Sequence, residues 1–181
     1  MDKFQNKYRI GSARLKNWDY GNNSPYFVTI CIRNHEKLFG EISDGEMILN
    51  ENGEIAEKIW MEIPEHFNYA ELGCFVVMPN HFHGIICINK LKKEITVEKQ
   101  SVSIVNGGFA GIKNPMLNEN ISRIVRWYKG RVTFEIRKNY PNFEWQSRFW
   151  DHVIRNEESF NRIENYIQNN PKNWVEDKFH F

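Results

Sequence analysis

The sequence predicts an α+β sandwich, an antiparallel sheet with helices packed on one face, and three observations lead there. Residues 26–32 place Tyr26, Val28, Ile30 and Ile32 at the period of two of a strand. Two short apolar runs, 72–77 and 84–88, flank Met78-Pro79-Asn80-His81-Phe82-His83 as neighbouring strands flank a turn. Two stretches near residues 121–136 and 157–170 carry apolar side chains at helical spacing.

In chain order, the first strand follows a turn around Asn22 to Pro25. Gly40 to Leu49 is interrupted by Ser43-Asp44-Gly45, an Asp-Gly hairpin signal. From Asn52 onward Ile55, Ala56, Ile59, Trp60 and Ile63 follow a helix that Pro64 is expected to end. After the paired strands, residues of about 89–118 are polar, contain Gly107-Gly108 and predict a long loop or an extra hairpin. Ile121, Ile124, Val125, Tyr128, Val132 and Ile136 mark an amphipathic helix begun by Asn118 or Asn120. An aromatic block, Phe143 to His152, precedes the last helix, which Asn156 caps and which stops before Pro171. The order is strand, hairpin, helix, two strands, helix, helix.

A chain of 181 residues with 41% hydrophobic content suits one domain over residues 1–181, with an N-terminal arm of about 1–20. Lys and Arg number 24 against 23 Asp and Glu, so composition alone does not announce a nucleic-acid binder, and any basic surface must come from local clustering. Two stretches cluster: Lys3, Lys7, Arg9, Arg14 and Lys16 near the start, and Arg123, Arg126, Lys129, Arg131, Arg137 and Lys138 along the long helix. Cys31, Cys74 and Cys87 sit in apolar runs without a Cys-x-x-Cys spacing, which points to reduced, buried thiols. With no apolar signal core at the start and no run long enough to span a bilayer, the expected location is the cytoplasm, without membrane association.

His81 and His83 project from one face of a strand and can present both imidazoles to one divalent ion. Tyr166 and Asn170, four apart on the last helix, likewise share a face and deliver a phenol and an amide together. An ion held by two imidazoles and an amide keeps positions open for a phosphate oxygen, and a phenol with an ordinary pKa near 10 needs such help to attack. Taken singly, the histidines also fit satisfied polar residues beside a strand, and Tyr166 a tyrosine at the edge of the core. Hydrolysis by an activated water is the other chemistry open to a His pair, but a His-x-His-x-His pattern would need a third histidine where Ile85 stands. A closed zinc site would need four ligands, and Cys87 has no evident partner. His152 fits either a DNA contact or a hydrogen-bonding residue at the start of the last helix.

Val76-Val77-Met78-Pro79-Asn80-His81-Phe82-His83-Gly84-Ile85-Ile86 resembles the HUH motif of the insertion-sequence single-tyrosine transposases, and most of all their REP-associated branch. The resemblance extends through Tyr26 to Cys31, Trp145-Gln146, Asp151 to Asn156 and Tyr166 to Pro171, and so covers residues of about 26–174. It implies a ferredoxin-like HUH-endonuclease fold in which His81, His83 and Asn170 hold Mg2+ or Mn2+ and Tyr166 is the nucleophile. The implied reaction cleaves single-stranded DNA beside REP-like hairpins, leaving a 5'-phosphotyrosine and a free 3'-hydroxyl. Arg126, Lys129, Arg148, His152 and Arg155 become the candidate DNA contacts, and the implied assembly is a monomer or a homodimer. A non-cleaving hairpin-binding regulator and a metal-dependent phosphodiester hydrolase are the alternatives. Residues 89–118 match no motif of that family.

Overall fold

The structure is a computed structural model describing residues 18–91 and 118–180, together with a short strand pair, β1 (Lys3–Phe4) and β2 (Lys7–Tyr8). The side chains of the N-terminal basic cluster and nearly all of the expected 89–118 loop lie outside the described residues.

Four strands form the central sheet: β3 (Ser24–Cys31), β6 (Ala70–Met78), β7 (His81–Ile88) and β8 (Trp150–Val153), in the order β6-β7-β3-β8 with every neighbour antiparallel. Between β3 and β6 lie the hairpin β4 (Gly40–Ser43) and β5 (Glu46–Leu49), α1 (Glu51–Met61) and the single-turn α2 (Ile63–His66). Helix α3 (Ile121–Ile136) connects β7 to β8, and α4 (Glu157–Asn169) follows. Without the hairpin, β3-α1-β6-β7-α3-β8 is the βαββαβ order of a ferredoxin-like sandwich.

Local chemistry explains the boundaries. Asp44 and Gly45 both take positive φ, 52° and 77°, as a two-residue hairpin turn demands. Asn50, Asn120 and Asn156 each turn a side-chain oxygen onto backbone N–H groups of the first helical turn. Helix α1 therefore starts at Glu51, one residue before Asn52, and Pro64 opens α2 rather than closing α1, because a first-turn proline leaves no needed donor missing.

Two expectations change. The aromatic block, to which the sequence reading assigns no strand, contains one: Trp145 bridges to Ile32, and Trp150–Val153 pairs with β3 as an edge strand. The helices also divide between the two faces of the sheet. Tyr26, Val28, Ile30, Phe82, Ile86 and Ile88 pack beneath α1 and α3, whereas Ile85, Phe27, Val76 and Cys87 pack against Ile163, Ile167 and Phe160 of α4. The cause lies in β7, whose alternate residues are apolar on both faces, so each face must be covered. Gly84 fits this arrangement because a Cβ there would come within 2.5 Å of the Trp60 ring. That ring lies 4.4 Å from Phe82 and 5.2 Å from Tyr128, between centroids, at the centre of the larger core. Among the described residues no helix is long and apolar enough to cross a membrane.

Candidate metal and phenol site

The face of β7 that turns toward α4 carries His81 and His83, and both are buried, at 0% and 1% exposure. The pair sits inside the strand just after the Pro79-Asn80 turn, and each backbone is held by the ladder: Cys31 opposes His81, and Thr29 opposes His83. Their Nε2 atoms lie 2.9 Å apart.

Neighbours define the tautomers. Asn80 donates through Nδ2 to the carbonyls of Phe179 and His35, at 2.8 and 3.3 Å, so its Oδ1 must accept, and His81 Nδ1 donates to it at 2.8 Å. His81 thus turns a bare Nε2 lone pair toward His83. Without a cation the proton between the two nitrogens must come from His83 Nε2. With a cation there, His83 keeps its proton on Nδ1 and donates to Thr29 Oγ1, 2.8 Å away. The Thr29 hydroxyl serves both states because it can donate or accept. Thr29→Val keeps the shape of this buried residue and removes that partner. A roughly 10- to 100-fold loss of affinity for a divalent ion at this group is expected, read by calorimetry, with an unchanged far-ultraviolet circular dichroism spectrum.

Helix α4 brings the rest. The Tyr166 hydroxyl lies 3.2 Å from His83 Nε2 and donates to Asp177 Oδ2, also at 3.2 Å. Asn170, 2% exposed, donates Nδ2 to the same carboxylate oxygen at 3.0 Å, while its Oδ1 is buried with no hydrogen-bond partner among the described residues. Phe27 stacks on His83 with ring centroids 5.2 Å apart and meets the Tyr166 ring edge-on at 6.1 Å.

Asp177 is the residue that the sequence pattern did not single out. A 3-10 turn, Trp174–Glu176, reverses the chain after α4 and returns Asp177 to the site, where its Oδ1 accepts the Phe179 N–H at 2.7 Å. His81, His83 and Asp177 form a group that can hold a metal ion, with ligand atoms within 4.8 Å of one another. The orphaned Asn170 oxygen fits such an ion as well, and so do the two converging Nε2 atoms, which share a single proton that a cation can replace.

Burial dominates the electrostatics. It pushes His81 down to about 4, with the Asp177 charge opposing, and holds His83 well below its ordinary value with help from His81. Both imidazoles are therefore neutral, the form that binds metal. Burial also raises the Tyr166 phenol well above its usual 10, and the charge and hydrogen bond of Asp177 raise it further. Asp177→Asn is expected to lower the phenol's titration, followed by phenolate absorbance, yet leave it above 10 because burial persists.

The predicted DNA contacts are scattered. Arg126 is exposed on α3, against the opposite face of the sheet from the histidines. Lys129 is occupied, donating to the carbonyls of Gln146 and Arg148 at 2.7 and 3.0 Å, and burial lowers it to about 8. Arg148, His152 and Arg155 are exposed in and around β8, with Arg155 lying 5.9 Å from the Trp18 ring.

No family model matches the sequence. The chain has the fold of a REP-associated tyrosine transposase whose structure was solved bound to a REP hairpin; the two superpose with a TM-score of 0.59 at 19% identity, over 92% of this chain and 77% of that one. An uncharacterized protein of Haemophilus influenzae (strain ATCC 51907 / DSM 11121 / KW20 / Rd) is 37% identical over 183 residues, covering 96% of this chain and 97% of its own. An identity of that level across nearly the whole of both chains makes this protein a member of the same family as the Haemophilus influenzae protein, built on the antiparallel sandwich of the REP-associated transposase.

Proposed function

We propose that this protein is a metal-dependent, single-tyrosine endonuclease and strand transferase acting on single-stranded DNA next to a hairpin. The observation that carries the proposal is the Tyr166 hydroxyl 3.2 Å from His83 Nε2, beside a histidine pair whose second nitrogens are already bonded to Thr29 and Asn80. A phenol poised against a metal-ligating imidazole is the arrangement that tyrosine attack on a phosphodiester needs.

In this reading His81, His83 and Asn170 would hold the Mg2+ or Mn2+ that the resemblance implies, with positions left open for a phosphate oxygen. When bound, the ion polarises the scissile phosphate and offsets its charge. Asp177 also lies within ligand range, but we assign it to the proton, because it accepts the phenol O–H. The Tyr166 oxygen bonds to phosphorus, the phenolic proton passes to Asp177, and the bond from phosphorus to the 3'-oxygen breaks, that oxygen taking a proton from water to become a free hydroxyl. A second 3'-hydroxyl can then reverse the step, because the phosphotyrosine retains the energy of the diester. Thr29 and Asn80 hold the imidazoles, and Phe27 walls one side of His83.

The hairpin as partner rests on the solved neighbour, which is bound to one, and on the exposed cation Arg148 just before β8. The test is incubation with labelled hairpin oligonucleotides and Mn2+. A covalent protein–DNA adduct that requires Tyr166 is the expected product. Cleavage that yields free 5'-phosphate ends with no adduct would instead identify a hydrolase, and hairpin binding with neither product would identify a regulator.

A further inference from the structure

Strand β8 extends the face of the sheet that carries the site. The β3–β7 register sets Thr29 opposite His83, and the β3–β8 register sets the same Thr29 opposite Trp150. The next row reads Ile85, Phe27 and His152. Directly opposed residues point to the same side of a sheet, so Trp150 and His152 stand in line with the histidine pair on the α4 side. With neighbouring strands spaced by about 4.8 Å, Trp150 lies two strands, or roughly 10 Å, from His83. It is 57% exposed, and among the described residues its indole meets no other ring. Most of the chain's other tryptophans are packed into or against the cores, so this ring is out of keeping with them.

We propose that Trp150 is a stacking platform for an unpaired nucleobase that flanks the scissile phosphate, with Arg148 meeting the backbone beside it. Every base offers a flat π face, and an exposed indole beside a cation is how proteins hold single strands without reading sequence. The charge beside the ring favours this occupant: Arg148, two residues before it, is exposed. A strand from a second copy fits less well, because β8 spans only four residues and offers few ladder bonds. This inference rests on the strand-transfer reading above and assigns that reading its contact for the substrate's single-stranded flank.

The test measures binding of a fluorescent hairpin oligonucleotide with a single-stranded flank, in chelator so that no cleavage intervenes. Trp150→Ala is expected to bind about tenfold more weakly, and Trp150→Phe to stay within about threefold of the unaltered protein. An abasic site moved along the flank supplies the second arm: at one position it costs the unaltered protein about tenfold and Trp150→Ala nothing further. Equal losses for both proteins at every position would overturn the proposal. So would a dimer in sedimentation that Trp150→Ala dissociates, since the ring would then belong to an interface between copies. Trp150→Ala binding normally while Tyr166-dependent adducts still form would overturn the platform alone. Failure of the unaltered protein both to bind and to form adducts would remove the strand-transfer reading, and the platform with it. Thermal melts monitor the folding of each variant.

Discussion

Tyr166→Phe is expected to abolish the covalent DNA adduct, with a fall in strand cleavage on the order of 10^4-fold or more. The substitution removes one oxygen atom and no packing, because the ring keeps its edge contact with Phe27 and its place beside His83. Two hydrogen-bonded contacts are lost, to Asp177 and His83, yet Asp177 retains Asn170 and the Phe179 N–H as donors, so stability should change by about 1 kcal/mol or less. Hairpin binding should stay within about threefold, since a part-exposed hydroxyl contributes little to holding a polyanion. Denaturing gel electrophoresis of the labelled oligonucleotide reads the adduct directly. An adduct that persisted in the phenylalanine variant would assign the nucleophile elsewhere. The size of the effect follows from the phenol's own reluctance: held above its ordinary pKa, it offers well under about 0.1% phenolate at neutral pH. Among the described residues the other hydroxyl bonded to the pair, that of Thr29, is buried against the Nδ1 side of His83, away from Tyr166.

The second large effect is His83→Ala, which is expected to remove both metal binding and cleavage. His83 is the hub of the site: its Nε2 meets His81 and Tyr166, its Nδ1 meets Thr29, and its ring stacks on Phe27. Deleting it takes away one of the two imidazoles and leaves a hole beside Thr29, at a stability cost of about 1–3 kcal/mol. Thermal melting with Mn2+ separates these losses. At a metal concentration near 100 times Kd the unaltered protein should gain about 2.7 kcal/mol, which for a chain of this size is a rise in Tm of roughly 5–10 °C. His83→Ala should start from a lower Tm and show no rise. A variant that still gained stability from Mn2+ would place the ion away from this pair.

Much of this site was legible because regular structure maps spacing onto direction. His81 and His83 differ by two within a strand and Tyr166 and Asn170 by four within a helix, so each pair had to share a face. The caps Asn120 and Asn156 and the Asp44-Gly45 turn were equally readable, because each satisfies a local demand of the backbone, whereas Asn50 was passed over for Asn52. Asp177 was hidden for the opposite reason: it lies beyond the last helix, and only the reversal through Trp174–Glu176 returns it to the site. Strand β8 escaped notice because four residues with an exposed tryptophan first carry too little alternation to stand out from a loop. The side of the sheet covered by α4 was beyond reach as well, since an apolar stripe on a helix says that it is covered and not by what. Ile85 and Cys87, apolar on the histidine face of β7, were the hint that this face also required a cover.

Strand β7 is paired along its length with β6 on one side and β3 on the other. The two imidazoles are therefore anchored to the least yielding part of the sheet, and the conformational freedom they would otherwise lose on gathering around an ion is surrendered when the protein folds. An ion held between them would therefore meet two nitrogens at a spacing already fixed by the sheet.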